Sequence, residues 1–375
     1  MTNYENLPLY AMNVKVFVKL GLIDSSDWTK RFLFSLILVI TLVGLVVNMF
    51  KTWDEDIGET SMNIHKLLAL THCSIRCCIM VKKAKKFERL FQSIEQWYRD
   101  IERNGDPEIL STLQEINRKT DKLSKMTIYL AAMAALAGLL YPLSYNTRTH
   151  MVTVQYPFID ALQTPFFEFF FLIQVLWLTP TVLVISLPFM NIFLITFTFG
   201  VLALKDLCGK LRNIRSENEE TMLQEFKECI VYHRKVIKLC DDLEDLISID
   251  GFFNLALFGM MLCILLFFLS MIDDLRLILV GLVFVSLNTY MIGITYYYAN
   301  NLATESVEVA NAAYDTPWYM GNLEMRKCVT IMIARCQKPI QITAGGLYPM
   351  NMENFQAILR ISYSYFSLLQ GLSQQ

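Results

Sequence analysis

The sequence predicts an all-α membrane protein of seven transmembrane helices, with a cytosolic N-terminus, an extracellular C-terminus and a cytosolic helical anchor region. Three observations carry this. Of 375 residues, 54% are hydrophobic and only 18% charged, and the apolar ones fall in long blocks that a soluble domain could not bury. Basic residues concentrate in alternate connections, which orients the spans by the positive-inside rule. The polar stretches between spans keep apolar residues at helical spacing, so the connections are themselves helices.

Taken in order, residues 1–30, with Lys15, Lys19 and Lys30 and the adjoining Arg31, read as a cytosolic segment on the inner membrane surface. Phe32–Phe50 carries no charge and supplies the first span, since crossing the hydrocarbon takes about 20 apolar residues. An acidic outer loop follows, with Asp54, Glu55, Asp56 and Glu59. The second span, Ile64–Val81, is weakened as a membrane segment by His65, Lys66, His72 and Arg76. Residues 82–123 form a cytosolic hairpin. Its first helix buries Phe87, Leu90, Phe91, Ile94, Trp97, Tyr98 and Ile101, and Asn104-Gly105-Asp106-Pro107 breaks it.

Met126–Tyr145 is the third span. Phe169–Phe199 is the fourth; it exceeds one bilayer thickness, which places its aromatic N-terminal part in the outer interface. Glu217–Ile249 is a cytosolic helix with a stripe of Phe226, Ile230, His233, Ile237, Leu243 and Ile247 running without a proline into the fifth span, Phe252–Ile272. Asp273 and Asp274 turn the chain into the sixth, Leu277–Ala299, and Met325–Gln337 is a short cytosolic helix. A Pro/Gly-broken linker from Pro339 to Pro349 then feeds a final apolar helix, Ala357–Leu372, with Asn351 as N-cap. The chain thus divides into 1–30, cytosolic; 31–200, the first four spans; 201–350, anchor helices with the fifth and sixth spans; and 351–375, the terminal helix.

Enzymatic motifs are missing from the chain: no GxSxG, HExxH, phosphate-binding glycine loop or CxxC pair occurs, so catalysis is not expected. Four dispersed histidines offer no metal set, and Cys73, Cys77 and Cys78 read as small residues packing a membrane helix. All nine cysteines fall in spans or cytosolic segments, as reduced thiols should. No cofactor, metal or nucleic-acid partner is expected. Residues 1–30 lack the apolar core of a cleavable signal, so the first span serves as its own insertion signal. No internal repeat supports a transporter. The acidic outer loops could concentrate cations, although solvated loop charge is the commoner reading.

The linker Thr343-Ala344-Gly345 and the helix Ser362-Tyr363-Ser364-Tyr365-Phe366 closely resemble the C-terminal signature of insect odorant receptors. Likeness in topology and length covers essentially the whole chain; the specific motif covers roughly Arg335 to Leu372. The helix around His233, through Glu244 to Ser248, resembles the family's cytosolic anchor joining four subunits. The short Leu204–Asp250 connection resembles a ligand-tuning subunit rather than the longer-looped co-receptor. The resemblance implies a plasma-membrane odorant-gated, non-selective cation channel in sensory neurons. It implies a hetero-oligomer, a tetramer with the odorant receptor co-receptor, set in membrane lipid and opened by a small volatile odorant. A gustatory-type channel shares the topology but ends in a different motif. A G-protein-coupled receptor needs the opposite orientation.

The resemblance makes the last helix pore-lining. Leu368 and Leu372, at i and i+4, are then the gate, with Ser364 and Tyr365 beneath; from composition alone a Leu-rich helix end reads as lipid- or core-facing. Arg360 lies nearer the cytosolic mouth, where snorkelling to the interface competes with a role in permeation. The resemblance also implies an odorant pocket among the second, third, fourth and sixth spans. Candidates chosen by depth are Leu68 and Thr71; Ala134, Ala137, Gly138 and Tyr141; Phe169, Phe170, Ile173 and Trp177; and Val280, Phe284 and Leu287. For any one aromatic, helix packing is the more ordinary role. As a set they suit a small, uncharged, hydrophobic ligand, with an aromatic or heteroaromatic volatile favoured.

Overall fold

The structure is a computed structural model that describes residues 14, 15, 17, 28–52, 57–143, 148–156, 160–215 and 218–373. The expected N-terminal segment, Asp54 to Asp56 and Tyr145 therefore lie largely or wholly outside the described residues.

Helices dominate. In order they are α1 (Trp28–Thr52), α2 (Ile57–Asn104), α3 (Pro107–Leu143), α4 (Phe166–Ile173), a π-helical turn (Gln174–Leu178), α5 (Thr179–Arg212), α6 (Glu219–Ser270) and α7 (Leu275–Tyr314). A 3₁₀ turn (Trp318–Met320), α8 (Leu323–Cys336), a two-stranded hairpin of β1 (Thr343–Ala344) and β2 (Tyr348–Pro349), and α9 (Met352–Ser373) complete the chain. Among the described residues five helices are long and apolar enough to cross a membrane, namely α2, α3, α5, α6 and α7. The first and last expected spans lie in α1 and α9.

Several helices run on far beyond a bilayer. At 1.5 Å per residue, the 52 residues of α6 span ~78 Å, against roughly 30 Å of hydrocarbon. Their extensions pack into the bundle expected for the anchor. Phe87, Phe91, Ile94, Trp97 and Tyr98 of α2 are buried with Phe226, Val236, Leu243 and Ile247 of α6. Trp97 Nε1 donates to the Tyr232 hydroxyl at 3.0 Å, and that hydroxyl donates to Asp206 at 2.5 Å, tying α2, α5 and α6 together. The α2–α3 connection follows its sequence: Gly105 N–H caps Ile101 O at 2.8 Å, and Pro107 starts the next helix, where its missing N–H costs nothing. A Cβ on Gly105 would sit 2.5 Å from that carbonyl, so only glycine fits.

His233 is buried in this bundle with Nε2 4.0 Å from Cys336 Sγ. Burial, with Arg335 nearby, pushes its pKa down to about 4 from 6.5. As pH falls the unfolded chain therefore takes up the proton first. His233 leaves stability intact above about 6.5 and erodes it from there down toward 4. In melting curves recorded from pH 7.5 to 4.5, His233→Gln should lose less stability than the wild type; parallel profiles would refute this.

The hairpin before α9 rests on α6. Gly345 and Gly346 take φ of 67° and 73°, the left-handed values a tight hairpin turn demands. Gly345 N–H donates to Ser248 O at 2.9 Å, Thr343 Oγ1 donates to Glu244, and Ala344 is fully buried against Gly251. At Gly345 an added Cβ would lie 2.9 Å from the Phe252 ring. Gly345→Ala is therefore expected to lose about 1–3 kcal/mol, read as a lower melting temperature in detergent. Past the hairpin, Asn351 caps α9 through Asn354 N at 2.8 Å.

Candidate functional site

A cavity of about 290 Å³ lies inside the membrane bundle, bordered by α2, α3, α5, α6 and α7. Its wall along α2 runs from His65 to Arg76, a length of ~16 Å at 1.5 Å per residue. Ala134 and Gly138 of α3 leave the space; a Cβ on Gly138 would come within 3.0 Å of Met151 Cε. Leu178, Thr179, Val182, Leu183, Leu187 and Met190 form the wall from α5 and the turn before it, Phe258 and Met261 that from α6, and Phe284, Leu287 and Met291 that from α7.

One end is closed by Met151 and Val152, from the segment between α3 and α4. This roof is clamped by Gln174, which accepts from Val152 N at 3.0 Å and donates to Val152 O at 2.7 Å. At the same end His65 faces the Phe284 ring at 5.6 Å, and Lys66 Nζ lies 3.8 Å from the Tyr141 ring centroid.

The other end is polar. Arg76 donates to both Asp250 oxygens, from Nε at 2.9 Å and Nη2 at 3.3 Å, and its Nη1 donates to Ser186 O at 3.1 Å. His72 Nε2 sits 3.2 Å from Asp250 Oδ1, and the guanidinium lies over Phe189 at 5.3 Å. Arg76 and Asp250 are each only 4% exposed. The pair thus joins α2, α5 and α6 beneath the cavity, and the turn of α6 that bears Asp250 is the turn on which the hairpin docks.

Of the residues chosen by depth, Ala134, Gly138, Phe284 and Leu287 border this cavity. The others lie elsewhere. Ala137, Tyr141 and Val280 pack with Met62, Leu265 and Phe268 in a small core among α2, α3, α6 and α7, and Ala137 and Val280 also border a separate groove between α3 and α7. Phe169, Phe170, Ile173 and Trp177 belong to α4 and the π turn above the cavity, with Phe169 59% and Trp177 44% exposed; the span reaches the cavity only from Leu178 onward. Leu68 is half-buried outside the cavity, and Thr71 turns its hydroxyl back to Leu67 O at 2.8 Å. Sequence reasoning missed the α5 wall, the α6 contribution and the polar end.

The terminal helix packs through Phe355, Ile358 and the fully buried Ser362. Its other faces are open: Ile361, Tyr363, Tyr365 and Leu368 are exposed, the last by 58%. Ser364 is also exposed, its hydroxyl bonded to Arg360 O at 3.0 Å. Leu372 lies within α9, but its side chain is outside the described residues. Tyr365 and Leu368 border a groove of about 560 Å³ between α9 and α6.

A largely apolar cavity inside a bundle of membrane-length helices is the architecture of a membrane receptor for a small ligand. The chain belongs to the 7tm odorant receptor family, whose model matches residues 56–363. It is 30% identical to odorant receptor Or2 of Anopheles gambiae over 98% of both chains. It is 28% identical to odorant receptor 10 of Aedes albopictus over 99% of both. Its fold matches the olfactory receptor OR5 of Machilis hrabei, solved in complex with eugenol, with a TM-score of 0.82 at 15% identity, over 99% of this chain and 100% of that one. This membership favours the odorant-receptor reading over a G-protein-coupled one.

Proposed function

We propose that the chain is a ligand-tuning subunit of a heteromeric odorant-gated cation channel in the plasma membrane. A small hydrophobic odorant would occupy the 290 Å³ cavity, and α9 would line the pore, with Leu368 and Leu372 as its constriction. The supporting observation is the shared turn of α6: Asp250 closes the cavity, while Ser248 and Gly251 hold the hairpin leading into α9. An odorant that binds better to one arrangement of this turn shifts the closed–open equilibrium. The extensions of α2, α6 and α8 would form the cytosolic anchor, with the N-terminus inside. The long exposed face of α9 supports assembly as a tetramer with the co-receptor.

Whole-cell current under an odorant panel, with and without the co-receptor and with G-protein signalling blocked, tests this. Rapid cation current requiring both chains is expected. A response abolished by the block, or an extracellular N-terminal tag on intact cells, would overturn the proposal.

A further inference from the structure

The polar end of the cavity has hydrogen-bonding capacity that the protein itself does not use. Arg76, His72, Ser186 and Asn254 all border it. Arg76 places three of its five N–H groups, Nε and one on Nη2 to Asp250 and one on Nη1 to the Ser186 carbonyl, and its charge is balanced by Asp250. The side chains of Ser186 and Asn254 make no hydrogen bond among the described residues. The guanidinium fixes the Ser186 backbone directly, and Asn254 stands one helical turn beyond Asp250 on α6. Both are half-buried against the cavity, so a ligand can reach them.

We propose that Ser186 and Asn254 form a hydrogen-bonding subsite that selects odorants carrying one uncharged polar group, a hydroxyl or carbonyl, on an otherwise apolar body. This rests on the reading that the cavity holds the odorant. An amide and a hydroxyl can each donate and accept, so the subsite serves either group. The middle of the wall is apolar; at the far end Thr179 donates to Gln174 O, Asn288 donates to Phe284 O and Lys66 lies against the Tyr141 ring, so those groups are already engaged and the polar group of a ligand is better met at this end. A carboxylate is excluded by the same geometry. Arg76 is already neutralised by Asp250, so a further anion beside the pair would be buried without a counter-charge. A hydrocarbon of the same shape is disfavoured more gently, since it strips water from Asn254 and Ser186 without replacing the lost bonds.

The test uses matched probes of nearly equal shape: acetophenone, 1-phenylethanol and α-methylstyrene, with benzoate as the anion. Two readouts run in parallel on the full chain with its co-receptor: current in cells, and thermal stabilisation of the purified complex. The ketone and alcohol should act at concentrations roughly tenfold below the hydrocarbon, the worth of about one hydrogen bond, and benzoate should do nothing. Asn254→Leu should bring the ratio close to one while keeping the hydrocarbon response. Ser186→Ala, which cannot disturb packing, should narrow it. A wild-type ratio near one, a ratio untouched by both variants, or stabilisation by none of the probes would overturn the subsite. Stabilisation with the expected ratio but no current would uphold the subsite and overturn the channel reading instead.

Discussion

Asp250→Ala is expected to destabilise the protein by about 3–5 kcal/mol, the cost of leaving a buried guanidinium without its counter-charge. Arg76 and Asp250 are each 4% exposed, so each charge depends on the other rather than on solvent. Arg76 would keep only the Ser186 carbonyl, and α2 would lose its polar tie to α6. Because the same turn of α6 carries the hairpin through Ser248 and Gly251, the damage should spread to α9. The measurement is the melting temperature and monodispersity of detergent-solubilised protein. The double variant Arg76→Leu/Asp250→Leu should recover most of the loss, since removing both charges also removes the desolvation cost. An Asp250→Ala protein within 1 kcal/mol of wild type would show that the pair holds little together.

That pair also shows how much of the site was legible in the sequence. His65, Lys66, His72 and Arg76 weaken Ile64–Val81 as a membrane span by hydropathy alone. The structure turns all four toward the cavity, where ionisable residues inside a membrane segment generally belong. The signal was present, but its partner Asp250 is 174 residues away. No local pattern joins the two, and the sequence places Asp250 between an expected cytosolic helix and the fifth span. The long fourth block failed for a different reason. Apolar residues dominate it from Phe169 to Phe199, so periodicity could not say which turns face inward. The π-helical turn at Gln174–Leu178 then resets the register between the aromatic start and the cavity wall. Elements with a sharp chemical boundary were plain from the residues: Gly105 with Pro107 between α2 and α3, Asn351 at the start of α9, and the helical stripe from Phe87 to Ile101. Of the small residues on α3, Ala134 and Gly138 border the cavity, whereas the neighbouring Ala137 packs beside Tyr141 and faces a separate groove toward α7.

Leu368→Ser should separate the roles of α9 in the protomer and in the pore. In the protomer Leu368 is 58% exposed and borders only the open groove toward α6. Shortening it should change protomer stability by no more than about 0.5 kcal/mol, as at other surface positions. Under the pore assignment its effect on conduction is far larger. A ring of leucine side chains closes a narrow pore because water does not wet it, and ions do not enter a dry passage. A hydroxyl in place of the isobutyl group both widens the ring and offers water a hydrogen bond. Cells expressing Leu368→Ser with the co-receptor should therefore carry a standing cation current before any odorant is applied, and Leu372→Ser should do the same. The closed state is what the substitution destabilises, so the remaining odorant response should shrink relative to the leak and shift to lower concentrations. A variant that reaches the surface, shows no leak and keeps the wild-type odorant response would remove Leu368 from the constriction and return it to the role its exposure alone suggests, a contact with lipid.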